Sequence, residues 1–488
     1  MTIDPRTPVI VGAGQINDRD FGSEPIGLMT RCTEAALDDS GAAGAVRDAI
    51  DAVRVVWGIW PYRDPGRLIA DRLGRTEARS SLTAVGGNQV YDLVVDTAMR
   101  ISTGDLDVAV VCAAESMRTR RADHAHGVTT EYLDERDGAA PDDVLGTEHE
   151  LTTAVENAVG VHHPVRFYAM AETALRHRLG ESVDTHRDRI ARLWSRGSEI
   201  AATNPHAWLQ RAQTAAETAT PSEHNRPIAA PYPKYMTSNL NVDQGGAVIM
   251  CSAEAAERLG VPRDRWVFPL AGSGAADHPT MTTRWAFDES PAMRLVGRDA
   301  LGLAGVDIDD CALLDLYSCF PVAVQVAQRE LAIDPARDWT ITGGLTFAAG
   351  PMNCYCILPL TRAVGMLRAA PEQRAFLTGN GGYFSKHSAI VLSGEPNPGG
   401  FRASRPQSDV DALPARPAPE APVADATLET YTVVYGRDME PEQAIVAALD
   451  DEGRRHWASS TDRSWLDELV SSDACGIDVH LDDGTVTP

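Results

Sequence analysis

The side chains best suited to chemistry lie in two short segments of the chain. Tyr317, Ser318 and Cys319 supply a phenol, a hydroxyl and a thiol at the start of a predicted helix, where the helix dipole would lower the pKa of the thiol. Lys386, one of only two lysines, and His387 follow a glycine-rich turn. These groups could act as nucleophile and acid/base partners. The alternative is that Cys319 packs in the core and that Lys386 and His387 cap the turn.

A layered α/β framework is needed to hold these segments in place. Residues 84–117 read as a glycine turn, a helix, a Thr-Gly-Asp turn and a buried strand, because apolar residues recur at helical spacing over 90–98 and run continuously over 108–112. A turn that leads into a helix presents free N–H groups, which favour an anion or an activated nucleophile. Residues 317–321 repeat this arrangement. The repeat predicts two duplicated halves.

Strands and helices alternate on both sides of this central segment. Such alternation predicts a mixed sheet that is covered by helices on both faces. The pattern predicts strands at 8–15, 52–60 and 311–317, a strand-turn-strand unit at 375–394, and helices at 25–39, 64–73, 290–304 and from Ser318 onward.

Composition excludes several classes of protein. The 488 residues carry a formal charge of −25, which argues against a nucleic-acid surface because such surfaces need clustered Lys and Arg. No apolar run is long enough to span a bilayer, and no signal peptide is evident, so we expect a cytoplasmic protein. The eight cysteines are scattered through apolar runs, which favours buried reduced thiols and no metal site.

Three stretches resemble the thiolase superfamily, whose nominal activity is that of an acetyl-CoA acetyltransferase. The central segment ends in Ala-Glu-Ser-Met at 114–117, and residues 236–261 resemble the family's Asp-Gly-Ala-Ala strand with a helix ending in Arg-Leu-Gly. The third stretch, residues 431–460, resembles the additional C-terminal domain of the thiolase-like protein type 1 family. The resemblance implies a duplicated five-layered αβαβα thiolase fold with an inserted loop domain and a C-terminal β-barrel of oligonucleotide-binding (OB) type.

The same resemblance divides the chain into units. An N-terminal half and a C-terminal half form the thiolase core, and the loop domain would cover coenzyme A. The predicted units are 1–118 with 241–265 for the N-terminal half, 119–240 for the loop domain, 266–400 for the C-terminal half, 401–425 for a Pro-rich linker and 426–488 for the OB-like domain.

All four catalytic side chains of the thiolase family are replaced. Aligned by motif, the nucleophilic cysteine falls on Gly87 and the first residue of the Asn-Glu-Ala-Phe loop falls on Tyr317. The histidine of the Gly-His-Pro loop falls on Gly350, and the cysteine of the Cys-x-Gly loop falls on Thr378. Since the ordinary mechanism needs a thiolate and an acid/base partner, we expect neither thiolytic nor Claisen activity.

The resemblance also implies a ligand, which is coenzyme A or an acyl-CoA, with no other cofactor and no metal. The predicted contacts are the basic and small residues that the family places near its ligand: Arg166, Met170, Lys234, Ser238, Gly381 and Gly382. Seven arginines in segment 164–205 could cover this ligand or could form a solvated helix face paired with local acids.

Two other functions remain open. A divergent acyltransferase or retro-aldol enzyme acting on CoA esters would use Tyr317, Lys386 and His387 as acid/base groups and Cys319 as nucleophile. A subunit that binds a partner enzyme would use the C-terminal domain for that contact. Thiolases are commonly dimers through the N-terminal sheet, so both a monomer and a homodimer are compatible with the sequence.

Overall fold

The computed structural model describes residues 3–488. Its strands are β1 (Pro8–Asn17), β2 (Ala52–Val55), β3 (Arg79–Thr83), β4 (Val108–Ser116), β5 (Asp143–Leu145), β6 (Pro227–Ala229), β7 (Tyr232–Pro233), β8 (Asp243–Ser252), β9 (Phe268–Ala276), β10 (Leu313–Asp315), β11 (Arg374–Gly381), β12 (Lys386–Ser393), β13 (Arg402–Ser404), β14 (Asp425–Tyr435), β15 (Pro441–Leu449), β16 (Arg455–Ser460), β17 (Asp478–Asp482) and β18 (Thr485–Thr487).

The α-helices connect and cover these strands. They are α1 (Pro25–Asp39), α2 (Ala43–Ala49), α3 (Pro65–Arg72), α4 (Gln89–Thr103), α5 (Met117–Ala125), α6 (Ala154–Val159), α7 (Pro164–Leu179), α8 (Val183–Thr203), α9 (Ala215–Ala219), α10 (Ala253–Arg258), α11 (Pro291–Ala304), α12 (Pro321–Glu330), α13 (Gly344–Phe347), α14 (Ile357–Ala369), α15 (Gln407–Asp411) and α16 (Arg463–Ser471). Among residues 3–488, no helix is long and apolar enough to cross a membrane.

The first sheet has six strands in the order β1-β8-β4-β2-β3-β5. β8 is antiparallel to both β1 and β4, whereas β4, β2 and β3 run parallel. Both β4 and β8 are buried along their whole length, as expected for strands with helices on both faces. β5 pairs with β3 on the side away from β2, so the chain itself covers this edge of the sheet.

The second sheet repeats this topology in the order β10-β11-β12-β9-β13. β12 is antiparallel to β9 and β11, and β11 runs parallel to β10. The predicted duplication is therefore present in the strand directions. The segment 401–425, predicted as a linker, contributes β13, which pairs in parallel with β9.

Helices α4 and α14 lie between the two sheets and contact strands of both. Helices α1 and α3 cover the outer face of the first sheet, and α11 covers the outer face of the second. These layers form the predicted αβαβα arrangement. The central layer positions the turn that precedes α4 against the loops that follow β10 and β11.

Two predicted boundaries in this core are informative. Helix α1 covers the predicted residues, and the Glu24 side chain accepts the N–H groups of Ile26 and Gly27 as its N-cap. The helix predicted from Ser318 instead begins at Pro321. Proline disfavours helical backbone in the residue before it, and Phe320 is accordingly extended, with φ −148° and ψ 158°.

The C-terminal region forms a closed five-stranded barrel. β14 pairs with β15, β15 with β16, β16 with β18, β18 with β17, and β17 returns to β14. The barrel packs against helix α7 of the same chain, where Thr430 Oγ1 donates to the carbonyl of Met170 at 2.6 Å. The buried Arg455 pairs with Glu429 at 2.7 Å and also donates to backbone carbonyls of the second half.

Candidate functional site

The turn before α4 is the place where a thiolase would carry its nucleophile, and here it is filled. A Cβ atom added to Gly87 would lie 2.5 Å from Tyr317 Oη and would also collide with the carbonyl oxygen of Asn380. The Tyr317 phenol therefore occupies the space that a cysteine side chain would need. No side chain fits at position 87 unless both neighbours move.

Tyr317 is held in this position by its backbone and its ring. Its peptide N–H donates to Thr378 Oγ1 at 3.0 Å, and its ring meets Tyr355 edge-on with centroids 5.6 Å apart. Burial raises the pKa of the Tyr317 phenol, so the group is protonated at neutral pH. It can donate a hydrogen bond, but it is a poor base.

Cys319 is a buried thiol that lacks activation. Burial raises its pKa to about 12, because an apolar surrounding disfavours the thiolate. The expectation of a lowered pKa is therefore wrong. The helix dipole contributes little because α12 begins only at Pro321. Asn380 Nδ2 donates to the sulfur at 3.8 Å, and hydrogen bonds from Tyr168 and the local backbone also favour the thiolate, but desolvation outweighs them.

Gly350 and Thr378 complete the set of replaced positions. A Cβ atom at Gly350 would lie 3.0 Å from side-chain atoms of Leu345, so an imidazole would have to displace that leucine. The Thr378 hydroxyl accepts a hydrogen bond from the N–H of Tyr317 and thus fixes the backbone at Tyr317. At the four positions that replace the thiolase side chains, the residues therefore serve packing or structural hydrogen bonds.

Three stacked aromatic rings close the region beside Cys319. Tyr168 stacks on Phe320 with centroids 4.6 Å apart, and Phe320 stacks on Tyr232 at 5.5 Å. Tyr168 Oη also accepts from Asn380 Nδ2 at 3.0 Å. All three rings are buried. We use the term reaction centre for the region around Gly87, Tyr317, Cys319, Gly350 and Thr378, and these rings make its side next to Cys319 part of the protein core.

A larger open site, which we call the basic cleft, lies beside the reaction centre. Its volume is about 850 Å³. Ser238 at its inner end donates through Oγ to the carbonyl of Cys319 at 3.0 Å. The cleft is lined by Arg121, Trp208, Leu209, Gln210, Arg211, Gln213, Arg226, Lys234, Tyr235, Thr237, Ser238, Asn239, Leu240, Asn241 and Thr346.

The charge of the basic cleft is opposite to that of the chain. Four lining residues are cationic and none is an aspartate or glutamate, although the whole chain has a formal charge of −25. Arg211 pairs with Glu217 at 2.9 Å. Among residues 3–488, Arg121, Arg226 and Lys234 form no ion pair. Cations left without carboxylate partners suit an anionic ligand.

Lys386 and His387 line a different cavity of about 470 Å³, which we call the Lys386 cavity. Lys386 Nζ donates to the carbonyl of Val85 at 2.9 Å, and burial lowers its pKa. His387 Nε2 lies 2.8 Å from Ser290 Oγ. Asp92 of α4 also lines this cavity, and burial raises its pKa to about 6.

The four predicted catalytic residues therefore fall into two places. Tyr317 and Cys319 lie in the packed reaction centre, whereas Lys386 and His387 line the Lys386 cavity, which shares no lining residue with the basic cleft. The sequence analysis did not identify Asp92 as a candidate site residue. The pattern that could have identified it is a carboxylate among the apolar positions of the central helix.

Of the six predicted ligand contacts, Lys234 and Ser238 lie together in the basic cleft. The other four do not line it. Arg166 donates to the carbonyl of Gly160 at 2.9 Å, and Met170 is buried beneath the barrel. Gly381 lets β11 pass close to Asn88, and Gly382 has a positive φ of 63° in the following turn.

Comparison with known proteins identifies the family. Residues 406–485 match the family model of the thiolase-like protein type 1 additional C-terminal domain. The crystal structure of a monomeric SCP2-thiolase like protein type 1 (STLP1) from Mycobacterium smegmatis is 30% identical, with a TM-score of 0.84 over 99% of each chain. The chain belongs to the thiolase-like protein type 1 family. The predicted membership is thus confirmed.

Other solved structures share the fold of this thiolase-like protein at lower identity. Human mitochondrial 3-ketoacyl-CoA thiolase is 17% identical with a TM-score of 0.56, over 80% of this chain and 100% of its own. The Ltp2-ChsH2(DUF35) aldolase is 19% identical with a TM-score of 0.62, over 80% and 98%. No curated protein sequence gives a significant match.

The arginines of α7 and α8 in this thiolase-like protein are largely paired within the chain. The clearest pairs are Arg176 with Asp473, Arg178 with Asp288, Arg187 with Asp184, Arg189 with Glu181 and Arg196 with Asp338, at 2.5 to 2.9 Å. Of the two sequence-based alternatives, this geometry fits the paired helix face. Arg166 of α7 is the exception among these arginines, because it donates to the carbonyl of Gly160 and pairs with no carboxylate of residues 3–488.

Sequence reasoning missed Arg121, Arg211 and Arg226 of that cleft. The three arginines come from separate parts of the chain, and only the tertiary structure brings them beside Lys234. One signal was available: residues 224–242 contain Arg226 and Lys234 but no acidic residue in an otherwise acidic chain.

Proposed function

We propose that this thiolase-like protein binds coenzyme A or an acyl-CoA in the basic cleft and has no ordinary thiolytic or Claisen activity. The observation that carries the proposal is the cleft lining, which has four cationic residues and no acidic one. Its inner end contacts the backbone of Cys319 through Ser238. A ligand in the cleft would therefore point toward the reaction centre.

The chemistry of coenzyme A suits this lining. Its phosphate groups are anions that Arg and Lys bind through charge-assisted hydrogen bonds. Its arm carries amides that pair with hydroxyl and amide side chains, which the cleft offers at Thr237, Ser238, Asn239 and Asn241. The volume of about 850 Å³ falls within the usual range for small-molecule sites.

The filled reaction centre supports the proposed absence of ordinary thiolase chemistry. Gly87 offers no nucleophile, and the Tyr317 phenol fills the space beside it. Gly350 offers no acid/base group. Two thiols lie here. Cys319 has a pKa raised to about 12, and Cys356 donates through Sγ to the carbonyl of Gly87 at 3.1 Å and has a pKa that burial raises well above its ordinary value, so both carry almost no thiolate at neutral pH.

A second candidate function is a retro-aldol or acyl-transfer reaction on a CoA ester, and the position of the Tyr317 phenol favours it. Once ligand binding opens the packed reaction centre, a protonated phenol at the nucleophile position could donate a hydrogen bond to a developing oxyanion. Incubation with a panel of acyl-CoA and 3-hydroxyacyl-CoA esters would test this function by product analysis. Turnover that Tyr317→Phe abolishes would support it, and turnover unchanged by that substitution would exclude the role.

Calorimetric titration with coenzyme A tests the first proposal. We expect saturable binding that weakens about tenfold or more in the double variant Arg226→Gln/Lys234→Gln, since each lost charge-assisted contact costs roughly 1 kcal/mol or more. The matched control is Arg298→Gln/Arg437→Gln, which removes two exposed cations outside the cleft.

The control keeps the net charge change equal and separates local contacts from long-range attraction. Equal weakening in both double variants would mean that the cleft is not the binding site. Absence of binding by the unchanged protein would remove the coenzyme A proposal altogether.

A further inference from the structure

A third cavity lies where the barrel meets the inserted helices, and we call it the junction cavity. It has a volume of about 610 Å³. Its walls come from α7 and α8, from α9, from the segment around β6 and β7, and from β14 and α16 of the barrel. It shares no lining residue with the basic cleft. Junctions between structural units are common places for ligand sites.

Most of the lining of the junction cavity is apolar. It consists largely of alanine, proline, tyrosine and aliphatic side chains: Val183, Ala215, Ala216, Ala219, Pro221, Pro227, Ala230, Pro231, Tyr232, Pro233, Tyr431, Tyr435, Leu469 and Val470. Such a surface gains free energy by contact with a hydrocarbon or aromatic body.

One buried cation faces this apolar lining. Arg176 is only 6% exposed, and its NH2 group donates to Tyr431 Oη at 3.0 Å and to Asp473 Oδ1 at 2.9 Å. Its Nε is buried and has no hydrogen-bond partner in the part of the chain that the structure describes. A buried donor without an acceptor is costly, so a small shift of the Arg176 side chain that brings Nε to the cavity surface would let this group donate to a further acceptor.

The other charged groups of the lining leave this acceptor position open. Glu172 is fully buried, and its carboxylate already receives hydrogen bonds from Gln325 and Tyr232 and contacts His186. Arg187 and Arg192 are about half and three-quarters exposed and pair with Asp184 and Asp188 on their own helix. Within residues 3–488, no carboxylate therefore accepts from the Arg176 Nε.

We propose that the junction cavity binds an apolar monocarboxylate, such as a medium-chain fatty acid. The carboxylate would accept from Arg176 Nε, and the hydrocarbon chain would lie along the alanine, proline and tyrosine lining. The additional C-terminal domain thereby gains a role, because its residues Tyr431, Tyr435, Leu469 and Val470 form one wall of the site.

Tyr232 links this site to the reaction centre. It lines the junction cavity, its hydroxyl donates to Glu172 at 2.6 Å, and its ring stacks on Phe320, the residue after Cys319. A ligand that shifts Tyr232 would therefore shift the stack that closes the reaction centre.

Calorimetric titration of the full-length protein with decanoate tests the inference. We expect saturable binding of decanoate with clearly weaker binding of decanol, which has the same chain without the carboxylate. Ala219→Phe places a ring in the cavity and should weaken decanoate about tenfold or more. Ala202→Phe is the control, because it adds the same ring at an exposed position of α8 outside the cavity.

Arg176→Gln provides a second variant with a different signature. It should weaken decanoate about tenfold and leave decanol unchanged, and circular dichroism checks that the variant is folded. The inference is overturned if decanoate fails to saturate, if decanol binds equally well, or if Ala219→Phe behaves as Ala202→Phe does. Coenzyme A binding is measured on the same samples, so its failure is distinguished from failure of this site.

Discussion

The basic cleft and the reaction centre lie side by side, and they differ in the charge and the space that they offer to a ligand. The cleft has four cations and an opening of about 850 Å³, as an anion-binding site requires. The reaction centre has neither nucleophile nor space, because Tyr317 and the Asn380 carbonyl fill the surroundings of Gly87. Ligand binding and covalent chemistry are separable properties of one fold.

The difference has a physical reason. A ligand cleft depends on surface charge, which several residues supply together, so it tolerates change at any one position. A covalent mechanism depends on individual atoms held at reactive distance. A glycine in place of a nucleophile removes the mechanism at once, and the vacated volume must then be filled by a neighbour such as Tyr317 to preserve packing.

The largest effect is expected from Gly87→Ala, which tests how completely the reaction centre is filled. The new methyl would lie 2.5 Å from Tyr317 Oη and against the rigid carbonyl of Asn380. We expect a loss of about 3 kcal/mol in the free energy of unfolding, as for strong overpacking. Urea denaturation measures this loss.

Gly365→Ala is the matched control for that substitution. Gly365 is an exposed position inside α14, where an added Cβ would meet no neighbour within 4 Å. Replacement of an interior helical glycine by alanine should stabilise the protein by about 0.5–1 kcal/mol. If Gly87→Ala proves as harmless as this control, the reaction centre is not filled, and the contrast with the cleft fails.

A smaller effect is expected from Asp92→Asn, on the helix that starts at the reaction centre. Burial raises the pKa of Asp92 to about 6 from its ordinary 3.8. The folded state therefore binds this proton more tightly, so the group stabilises the protein below about pH 4, and that contribution is lost as pH rises through 6. Relative to the unchanged protein, Asp92→Asn should gain about 2–3 kcal/mol between pH 4 and pH 7.

Urea denaturation at the two pH values measures this change. Asp451→Asn is the control, because Asp451 is exposed on a turn of the barrel. Parallel pH curves for Asp92→Asn and the unchanged protein would show that Asp92 is not the buried acid that its surroundings indicate.

The smallest effect is expected from Tyr317→Phe on coenzyme A binding. Tyr317 does not line the basic cleft, so removal of its hydroxyl should change the dissociation constant by less than about twofold. Calorimetric titration measures it beside the cleft variant Arg226→Gln/Lys234→Gln. A loss of tenfold or more in Tyr317→Phe would mean that the ligand reaches the phenol, and the two regions would then form one site.

Motif spacing predicted where the replaced thiolase positions meet. Gly87, Tyr317, Gly350 and Thr378 were assigned from four separate segments, and in the fold Tyr317 contacts both Gly87 and Thr378. These two contacts agree with the alignment by motif, because the strand-turn-helix pattern is local in the sequence. The thiolase roles assigned to the four positions stay a prediction.

Predictions that depended on the surroundings of a side chain in the folded protein were less accurate. The pKa of Cys319 moves opposite to the expectation, because burial outweighs the helix dipole. Lys386, predicted as an acid/base group, and Lys234, predicted as a ligand contact, line separate cavities. A sequence gives residue types and spacing, but it does not give the solvent that each side chain loses on folding.

The sequence by itself determined the family, the duplicated layered fold and the C-terminal barrel, since each is encoded in local patterns and residue identities. Only the tertiary structure decided that Tyr317 fills the space beside Gly87, that Arg121, Arg211, Arg226 and Lys234 share one acid-free cleft, and that the barrel walls a cavity around Arg176. Those features arise from contacts between residues far apart in the chain, where volume, burial and charge are set by the packing of whole units.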